Sequence, residues 1–572
     1  MLSFDKSKFK KEKLTLEGRS IAFRSCRNLI YVEHPVIPEF QQMNIFVPEA
    51  YFCGGTINGY TAETAPVFMP NEVGGYMPGF LPEPGYVLFG PKKPNAVFEA
   101  LEHGYVVAAP AIRGRVNKDA AGNYCGKAPA FIVDQKAAVR FLHYFADELP
   151  GDQNKIITNG TSAGGALSAL AGATGNHPDY LPYLKALGAA PASDAVFAAS
   201  CYCPITNLEH ADMAYEWEFS GVYDYHRMNM NMGEGGRPQF TPEDGTLSEA
   251  DQRVSAELAA LFPAYVNSLH LKDASGNPLT LDACGNGSFK EYFKSLILDS
   301  AARAETDGLL SADAPAPQPG SAPMFGASAG PSGYPAWLSK QDGVFTMDFD
   351  GYVREITRMK GAPAFDTLEM DSAENDEFGS ATENCRHFTD YSATHSRVIR
   401  KAADKAETES KKSDLQTYTD IQHTTKAVTV CTETDAIPTT QSSAVGQTSS
   451  ETAEAGKTPN VPTCTDAQIS SETATAGKTP DTQTFAGIAD PTVVKLLNPM
   501  NYIDDPAAET AAHWRIRHGE CDRDTSLVIS AILSLKLAEA GCSVDYRSPW
   551  ATPHSGDYDL PELFAWIDSI CK

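Results

Sequence analysis

The sequence predicts an α/β fold: a doubly wound sheet interrupted by an inserted cap (lid) domain and by a long disordered insertion. Two patterns predict the sheet and its interruptions. Short apolar runs at Asn44 to Val47, Val67 to Met69, Tyr105 to Pro110, Ile156 to Asn159 and Ala198 to Cys203 alternate with helical stretches at Val97 to Glu102 and Ile132 to Asp147, as strands joined by crossover helices do. After Pro204 the alternation stops, an aromatic-rich stretch begins with Tyr215, Trp217, Phe219, Tyr223 and Tyr225, and strand-helix patterning returns only near Val493-Val494-Lys495-Leu496-Leu497. The boundaries that follow are residues 1–204 for the first part of the core, 205–400 for the cap, 401–485 for the insertion and 486–572 for the rest of the core.

In chain order, the first strand bearing on chemistry is Ala65-Pro66-Val67-Phe68-Met69, which runs into Asn71-Glu72-Val73-Gly74-Gly75-Tyr76. Paired glycines there suit either an ordinary turn or a loop whose amide approaches a substrate. The next is Lys155 to Asn159, followed by Gly160-Thr161-Ser162-Ala163-Gly164-Gly165 and a small-residue helix. A serine on a tight strand-to-helix turn needs tiny neighbours, and Gly160, Ala163, Gly164 and Gly165 supply them. This is the pattern of a nucleophile elbow, in which the serine hydroxyl is held out from the sheet edge.

Such a serine needs a base and an orienting carboxylate, which in α/β-hydrolases follow it in the order Ser, Asp or Glu, His. Trp514 to His518 reads as a strand leading into Gly519-Glu520-Cys521-Asp522-Arg523-Asp524, with a helix over Thr525 to Ala540. Asp522 and Asp524 are both candidates for the acid; one of them alone would be explained as a cap of that helix. Gly541 to Tyr546 reads as a further strand, and the loop beyond it carries His554 in Pro553-His554-Ser555-Gly556-Asp557 ahead of a last helix, Leu560 to Ile570. The expected oxyanion donors are the amides of Ala163, which follows the nucleophile, and of Gly75.

The run Ile157-Thr158-Asn159-Gly160-Thr161-Ser162-Ala163-Gly164-Gly165, together with His210-Ala211-Asp212-Met213-Ala214-Tyr215-Glu216-Trp217, Thr357-Arg358-Met359-Lys360 and the Asp522 and His554 loops, resembles the bacterial tannases. The resemblance runs from about Asn28 to about Arg397 and again from about Leu496 onward. It implies a serine esterase that cleaves galloyl esters, with Ser162, Asp522 and His554 as triad and the Gly75 and Ala163 amides as oxyanion hole. It also implies a clamp in which Lys360, Glu374 and Asp524 hold the three galloyl hydroxyls, which leaves Asp522 to orient His554. Read locally, Lys360 and Glu374 are ordinary surface charges. The fungal subtype, with cysteines beside the serine and the histidine, is not expected, because those neighbours here are Thr161 and Pro553. Cys521 has no assigned role.

From about Lys401 to Phe485 the composition shifts to Thr, Ser, Ala, Glu and Lys, too poor in large apolar side chains to offset ordering entropy. Ser449-Ser450-Glu451-Thr452-Ala453 recurs there as Ser470-Ser471-Glu472-Thr473-Ala474. Across its 572 residues the chain carries a formal charge of −27, so neither nucleic acid nor an anionic membrane is an expected partner. The first residues lack a signal-peptide core, no run reaches membrane-span length, and 12 scattered cysteines without C-x-x-C read as reduced thiols in a cytoplasm, with no metal or other cofactor expected. Two other functions fit the same fold: a hydroxycinnamate (feruloyl or chlorogenate) esterase, and a non-catalytic hydrolase-fold binding protein.

Overall fold

Strands that read as unbroken apolar runs are buried on both faces, and three such runs, at residues 66–70, 106–110 and 198–202, lie in the six-stranded parallel part of the sheet. The structure is a computed structural model that describes residues 2–87, 92–232, 238–317, 331–399 and 487–572. Its sheet strands are β1 (Lys10–Leu16), β2 (Arg19–Ile30), β3 (Gln42–Pro48), β4 (Pro66–Pro70), β5 (Val106–Pro110), β6 (Asp152–Thr161) and β7 (Ala198–Tyr202). The intervening segment carries the hairpins β8 (Asp224–Met232) with β9 (Pro238–Thr246) and β10 (Leu338–Gln341) with β11 (Val344–Met347), and the sheet is completed by β12 (His513–Arg517) and β13 (Ser543–Arg547). The order across the nine-stranded sheet is β1-β2-β3-β5-β4-β6-β7-β12-β13. β1, β2, β3 and β5 run antiparallel to one another in turn, and from β5 to β13 every neighbour is parallel.

The five strands expected in the first part of the core correspond to β3 to β7, with Tyr105 and Cys203 each one residue outside β5 and β7. The expected helix Ile132 to Asp147 spans Ala130–Tyr144. β1 and β2 escaped the sequence reading because β1 is Lys10-Lys11-Glu12-Lys13-Leu14-Thr15-Leu16, an edge strand whose charges guard it against pairing with another chain. Met1–Ser396 and Thr484–Lys572 form one compact unit. The Thr- and Ser-rich segment 401–485 lies outside the described residues. Among the described residues no helix is long and apolar enough to cross a membrane.

The segment between β7 and β12 holds the helices Leu208–Glu218, Glu249–Ser268, Ser288–Thr306 and Phe349–Ile356. Trp217 packs against Phe262, Phe289, Phe293 and Phe349, all from this segment, within a hydrophobic core continuous with that of the sheet. Tyr215 has a different place, described below.

β4 lies between β5 and β6, although β5 precedes β6 in the chain. The winding therefore reverses at β4, and a crevice opens at the carboxyl ends of β4 and β6, where ligands bind in open α/β sheets. Ser162 stands at the end of β6 with φ 62° and ψ −124°, a conformation that costs a non-glycine residue on the order of 1–3 kcal/mol and survives only where its surroundings enforce it. The enforcement is close packing. A Cβ on Gly160 would lie 2.2 Å from the Gly164 carbonyl oxygen, on Gly164 2.4 Å from Asn71 Oδ1, and on Gly165 2.5 Å from the Tyr202 carbonyl oxygen. Gly165→Ala is therefore expected to lower the unfolding free energy by roughly 1–3 kcal/mol, the usual cost of overpacking. Gly74→Ala, whose added methyl meets nothing within 4 Å, should change it little; denaturant unfolding of both variants checks the contrast.

Candidate active site

The fully buried carboxylate of Asp522 is the electrostatic centre of the crevice. Its Oδ1 accepts the backbone N–H groups of Asp524 at 2.9 Å and Thr525 at 3.2 Å. Its Oδ2 lies 2.8 Å from His554 Nδ1 and 3.1 Å from His518 Nε2. Burial disfavours the charge, but the two imidazoles outweigh it and hold the Asp522 carboxyl below its ordinary range. An ionised Asp522 places the His554 proton on Nδ1 and leaves Nε2 as the basic atom. Burial works against a charged His554 as well, and Asp522, with Cys203 and Asp524, overcomes it, so that imidazole is pushed well above its ordinary value.

Asp522 is not the cap of the helix that follows, Leu527–Glu539, because Ser526 takes that position and accepts from Val528 N–H. Asp524 faces the same space from the other side. Its Oδ2 is 3.7 Å from His554 Nε2 and its Oδ1 is 3.6 Å from Lys360 Nζ. Glu374, buried on the short helix Ala373–Glu377, belongs to this group through its charge. Burial raises its carboxyl pKa and Lys360 draws it back, while Asp524 and then Glu374 raise the Lys360 ammonium against its own burial. Lys360 and Glu374, which read locally as ordinary surface charges, thus converge with Asp524 beside the His554–Asp522 pair.

The backbone around Ser162 is tied to every neighbouring loop. Ser162 N–H donates to the Tyr202 carbonyl at 3.0 Å, and the Asn71 amide side chain donates to the carbonyls of Asn159 and Gly164, both at 3.1 Å. A Cβ on Gly556 would overlap Thr161 Oγ1, so the His554 loop rests directly on the residue before the serine. Asn159 Nδ2 also donates to Asp557 at 3.0 Å. Ser162 Oγ has no hydrogen bond to His554, a looseness common before substrate binds. Gly75 and Tyr76 have φ of 53° and 56° in a turn closed by Met77 N–H to Gly74 O at 2.9 Å. Arg115 Nε fixes that turn by donating to the Gly75 carbonyl at 2.8 Å. The Ala163 amide opens the helix Ala163–Ala173, where the first N–H groups have no intrahelical acceptor.

Several supporting residues had no role in the sequence reading. Arg358 and Glu216, both fully buried, form a bidentate pair at 2.9 and 2.7 Å. Asp212 accepts from the N–H groups of Phe365 and Asp366 at 2.7 and 3.1 Å. The Tyr215 hydroxyl accepts from the N–H groups of Met359 and Lys360 at 3.0 and 3.1 Å and donates to the Arg523 carbonyl at 2.7 Å. One helix face therefore holds the lysine segment against the acid loop. His518 could have been suspected from its place four residues before Asp522, at the end of the strand that delivers the acid.

A BD-FAE family model matches residues 91–259. Esterase LipC of Mycobacterium tuberculosis is 48% identical over 52 residues, a match spanning 9% of this chain and 13% of that esterase. Similarity to solved structures is far broader. The tannase of Lactobacillus plantarum is 38% identical, with 100% of this chain and 99% of that chain covered and a TM-score of 0.77. The chain belongs to the bacterial tannases. The tannase of Fusobacterium nucleatum is also 38% identical, with 100% of each chain covered and a TM-score of 0.77. A tannin acyl hydrolase solved in complex with ethyl gallate is 37% identical, with 100% of this chain and 98% of that chain covered and a TM-score of 0.75. This tannase-family chain is an ester hydrolase of the α/β-hydrolase fold.

The charge arrangement at His554 generates a pH prediction. A protonated His554 cannot take a proton from Ser162, and Asp522 stabilises that protonated form, so the acidic limb of the kcat/KM profile is expected above the ordinary imidazole value of 6.5. Asp522→Asn removes the stabilising charge and should shift the limb to lower pH while reducing kcat on the order of 10⁴-fold. Profiles of both proteins check this, and a limb that stays in place in the variant would show that Asp522 does not govern His554.

Proposed function

We propose that this tannase hydrolyses galloyl esters, of hydrolysable tannins or simple gallates, through an acyl-enzyme on Ser162. The observation that carries the reading is the convergence of Lys360, Glu374 and Asp524 beside His554, one cation and two carboxylates around one partly enclosed space. Phenol hydroxyls donate to carboxylates and accept from an ammonium, so a trihydroxylated ring satisfies all three groups at once. A ring without hydroxyls offers these groups no partner, and discrimination on the order of 10⁴-fold is attainable in this way. A relative of nearly full coverage solved with ethyl gallate supports the same substrate class.

In the first step His554 Nε2 accepts the Ser162 proton as Oγ attacks the galloyl carbonyl, and the Gly75 and Ala163 amides stabilise the oxyanion. Asp522 keeps the imidazole in the tautomer that leaves Nε2 free and stabilises the imidazolium. The imidazolium then protonates the departing alcohol. In the second step His554 takes a proton from water as it attacks the acyl-serine, then returns that proton to Ser162 Oγ as gallate leaves. The small phenolic ester is the proposed partner, and no step calls on a metal or organic cofactor.

Ser162→Ala is expected to remain folded and to turn over no ester, since alanine fits the turn but offers no nucleophile. Turnover near that of the unaltered protein would remove Ser162 from the chemistry. The clamp is tested separately. Lys360→Ala and Glu374→Ala should each cut kcat/KM for methyl gallate by about 100-fold, the loss of one hydrogen bond to a charged group, while changing methyl benzoate hydrolysis only a few-fold. Equal losses on both esters would overturn the clamp, and methyl ferulate preferred over methyl gallate by the unaltered protein would establish a hydroxycinnamate esterase instead.

A further inference from the structure

The residues of the turn Gly74-Gly75-Tyr76-Met77 favour one shape, and the chain adopts another. Met77 N–H closes the turn on Gly74 O at 2.9 Å, and both central residues stand at positive φ, Gly75 at 53° and Tyr76 at 56°. That is a type I′ turn, whose two central positions both call for glycine, asparagine or aspartate. Glycine followed by a bulky residue is instead the preference of type II′, which needs positive φ only at the first position. The two shapes share the closing hydrogen bond and differ by roughly half a rotation of the central peptide. Left to its own sequence, the Gly75–Tyr76 peptide would reverse and release Tyr76 from a backbone region that strains a large side chain.

Arg115 opposes the reversal. Its Nε donates to the Gly75 carbonyl and its backbone N–H to the Tyr76 carbonyl, both at 2.8 Å. In the reversed peptide the Tyr76 N–H would take the place of the Gly75 carbonyl and meet the guanidinium donor against donor. Arg115 is not free to follow the turn. Its guanidinium is held by the buried carboxylate of Asp376, which also pairs with Lys127, and its loop is braced by Gly114 N–H donating to Asn117 Oδ1 at 2.9 Å. A Cβ on Gly114 would lie 2.3 Å from the Met77 carbonyl carbon, so this loop lies directly against the turn. The Tyr76 side chain ties the turn to the nucleophile: its hydroxyl donates to the Ile205 carbonyl at 3.2 Å, and Ile205 N–H donates to the Ser162 carbonyl at 3.3 Å.

We infer that Arg115 is a positioning residue for the oxyanion turn, holding the Gly75–Tyr76 peptide in the orientation that catalysis uses against the orientation the turn residues prefer. The inference rests on the reading of the Gly75 amide as an oxyanion donor. A peptide is trans, so with the Gly75 carbonyl on Arg115 the Tyr76 N–H points away from it. Reversal puts an oxygen where that N–H stands and inverts the dipole next to the Gly75 amide, which must meet a developing negative charge. Oxyanion stabilisation depends on dipoles fixed before the reaction begins, and the strain at Tyr76 marks a site where the surroundings do the fixing. The role has no local signature in the sequence, because the partners of Arg115 lie 40 positions before it and 261 after it.

The test matches side-chain atoms at position 115. Glutamine carries Nε2 where arginine carries Nε, so it keeps the donor to Gly75 and loses the partner of Asp376. Lysine keeps the charge beside Asp376 but has a methylene at that place, and methionine keeps neither. Rates on methyl gallate and 4-nitrophenyl acetate are measured on the full chain and referred to sites titrated to completion with a fluorophosphonate, so that misfolded molecules do not count. Arg115→Lys and Arg115→Met are expected to lose kcat on the order of 10-fold on both esters with KM changed less than about 3-fold, a part of the 10²- to 10³-fold that loss of a whole oxyanion donor costs. Arg115→Gln should recover most of that loss. Lysine ahead of glutamine would show that the ion pair with Asp376 governs the rate and would overturn the proposal. Equal rates in the variants, or a loss confined to methyl gallate, which would put Arg115 in ring recognition, overturn it too. The comparison of glutamine with lysine decides even if Arg115→Met fails to fold. In a crystal structure of Arg115→Lys the Gly75 carbonyl should have turned away from residue 115 and Tyr76 should stand at negative φ; a peptide unmoved there overturns the proposal whatever the rates. An unaltered protein that hydrolyses 4-nitrophenyl acetate but no gallate ester would sink the galloyl reading, and the order of the variants on the acetate would still decide the role of Arg115.

Discussion

A serine held at positive φ is the constraint from which the rest of the crevice is built. Ser162 does not adopt φ 62° by preference; it does so because β6, the following helix and the loop after β4 pass so close together that only hydrogen atoms fit at Gly160, Gly164 and Gly165. The contacts that enforce the strain also locate everything else. Asn71 anchors the Gly75 turn to the two carbonyls flanking the serine, and the β7 end carries Tyr202, which takes the serine N–H, and Cys203, which faces His554. The His554 loop rests on Thr161. Relaxing the serine would displace the Gly75 turn and the His554 loop together.

Around that fixed point the charges are arranged with little redundancy. Asp522 satisfies two loop amides with one oxygen and two imidazoles with the other. A carboxylate so fully engaged stays ionised despite its burial, and that ionisation selects the histidine tautomer with a free Nε2. Lys360 stands in a comparable balance between Asp524 and Glu374. Behind them the buried Arg358–Glu216 pair sets the path of the lysine segment, and removing one partner of such a pair typically costs about 3–5 kcal/mol, because the other is left charged in a dry interior.

How much of this was legible in the sequence depended on how local each signal is. The elbow was legible because glycine spacing, strand and helix all lie within a few residues of Ser162. The strands β3 to β7 were legible because double-sided burial makes them continuously apolar. The positions of Ser162, Asp522 and His554 beyond strand ends were legible because each lies between a strand and a helix with its own punctuation. β1 was missed because an edge strand carries charges that resemble a loop. The convergence of Lys360, Glu374 and Asp524 could not be read from residues alone, since nothing near Lys360 or Glu374 distinguishes it from a solvated side chain; only resemblance to a family pointed there. Tyr215 was read as one aromatic among many because its partners, Met359, Lys360 and Arg523, lie more than a hundred positions away.

That tyrosine has a consequence for which parts of this chain can be exchanged. Its single oxygen gathers two amides from the lysine segment and hands its own proton to the acid loop, so it acts as a dowel between parts of the chain that would otherwise be free to change separately. A new lysine segment, recombined from another relative, would arrive out of register unless the helix Leu208–Glu218 and the loop at Arg523 came with it. In this chain the lysine segment, the helix and the acid loop are thus tied together by one phenol, so a change in any one of them is constrained by the other two.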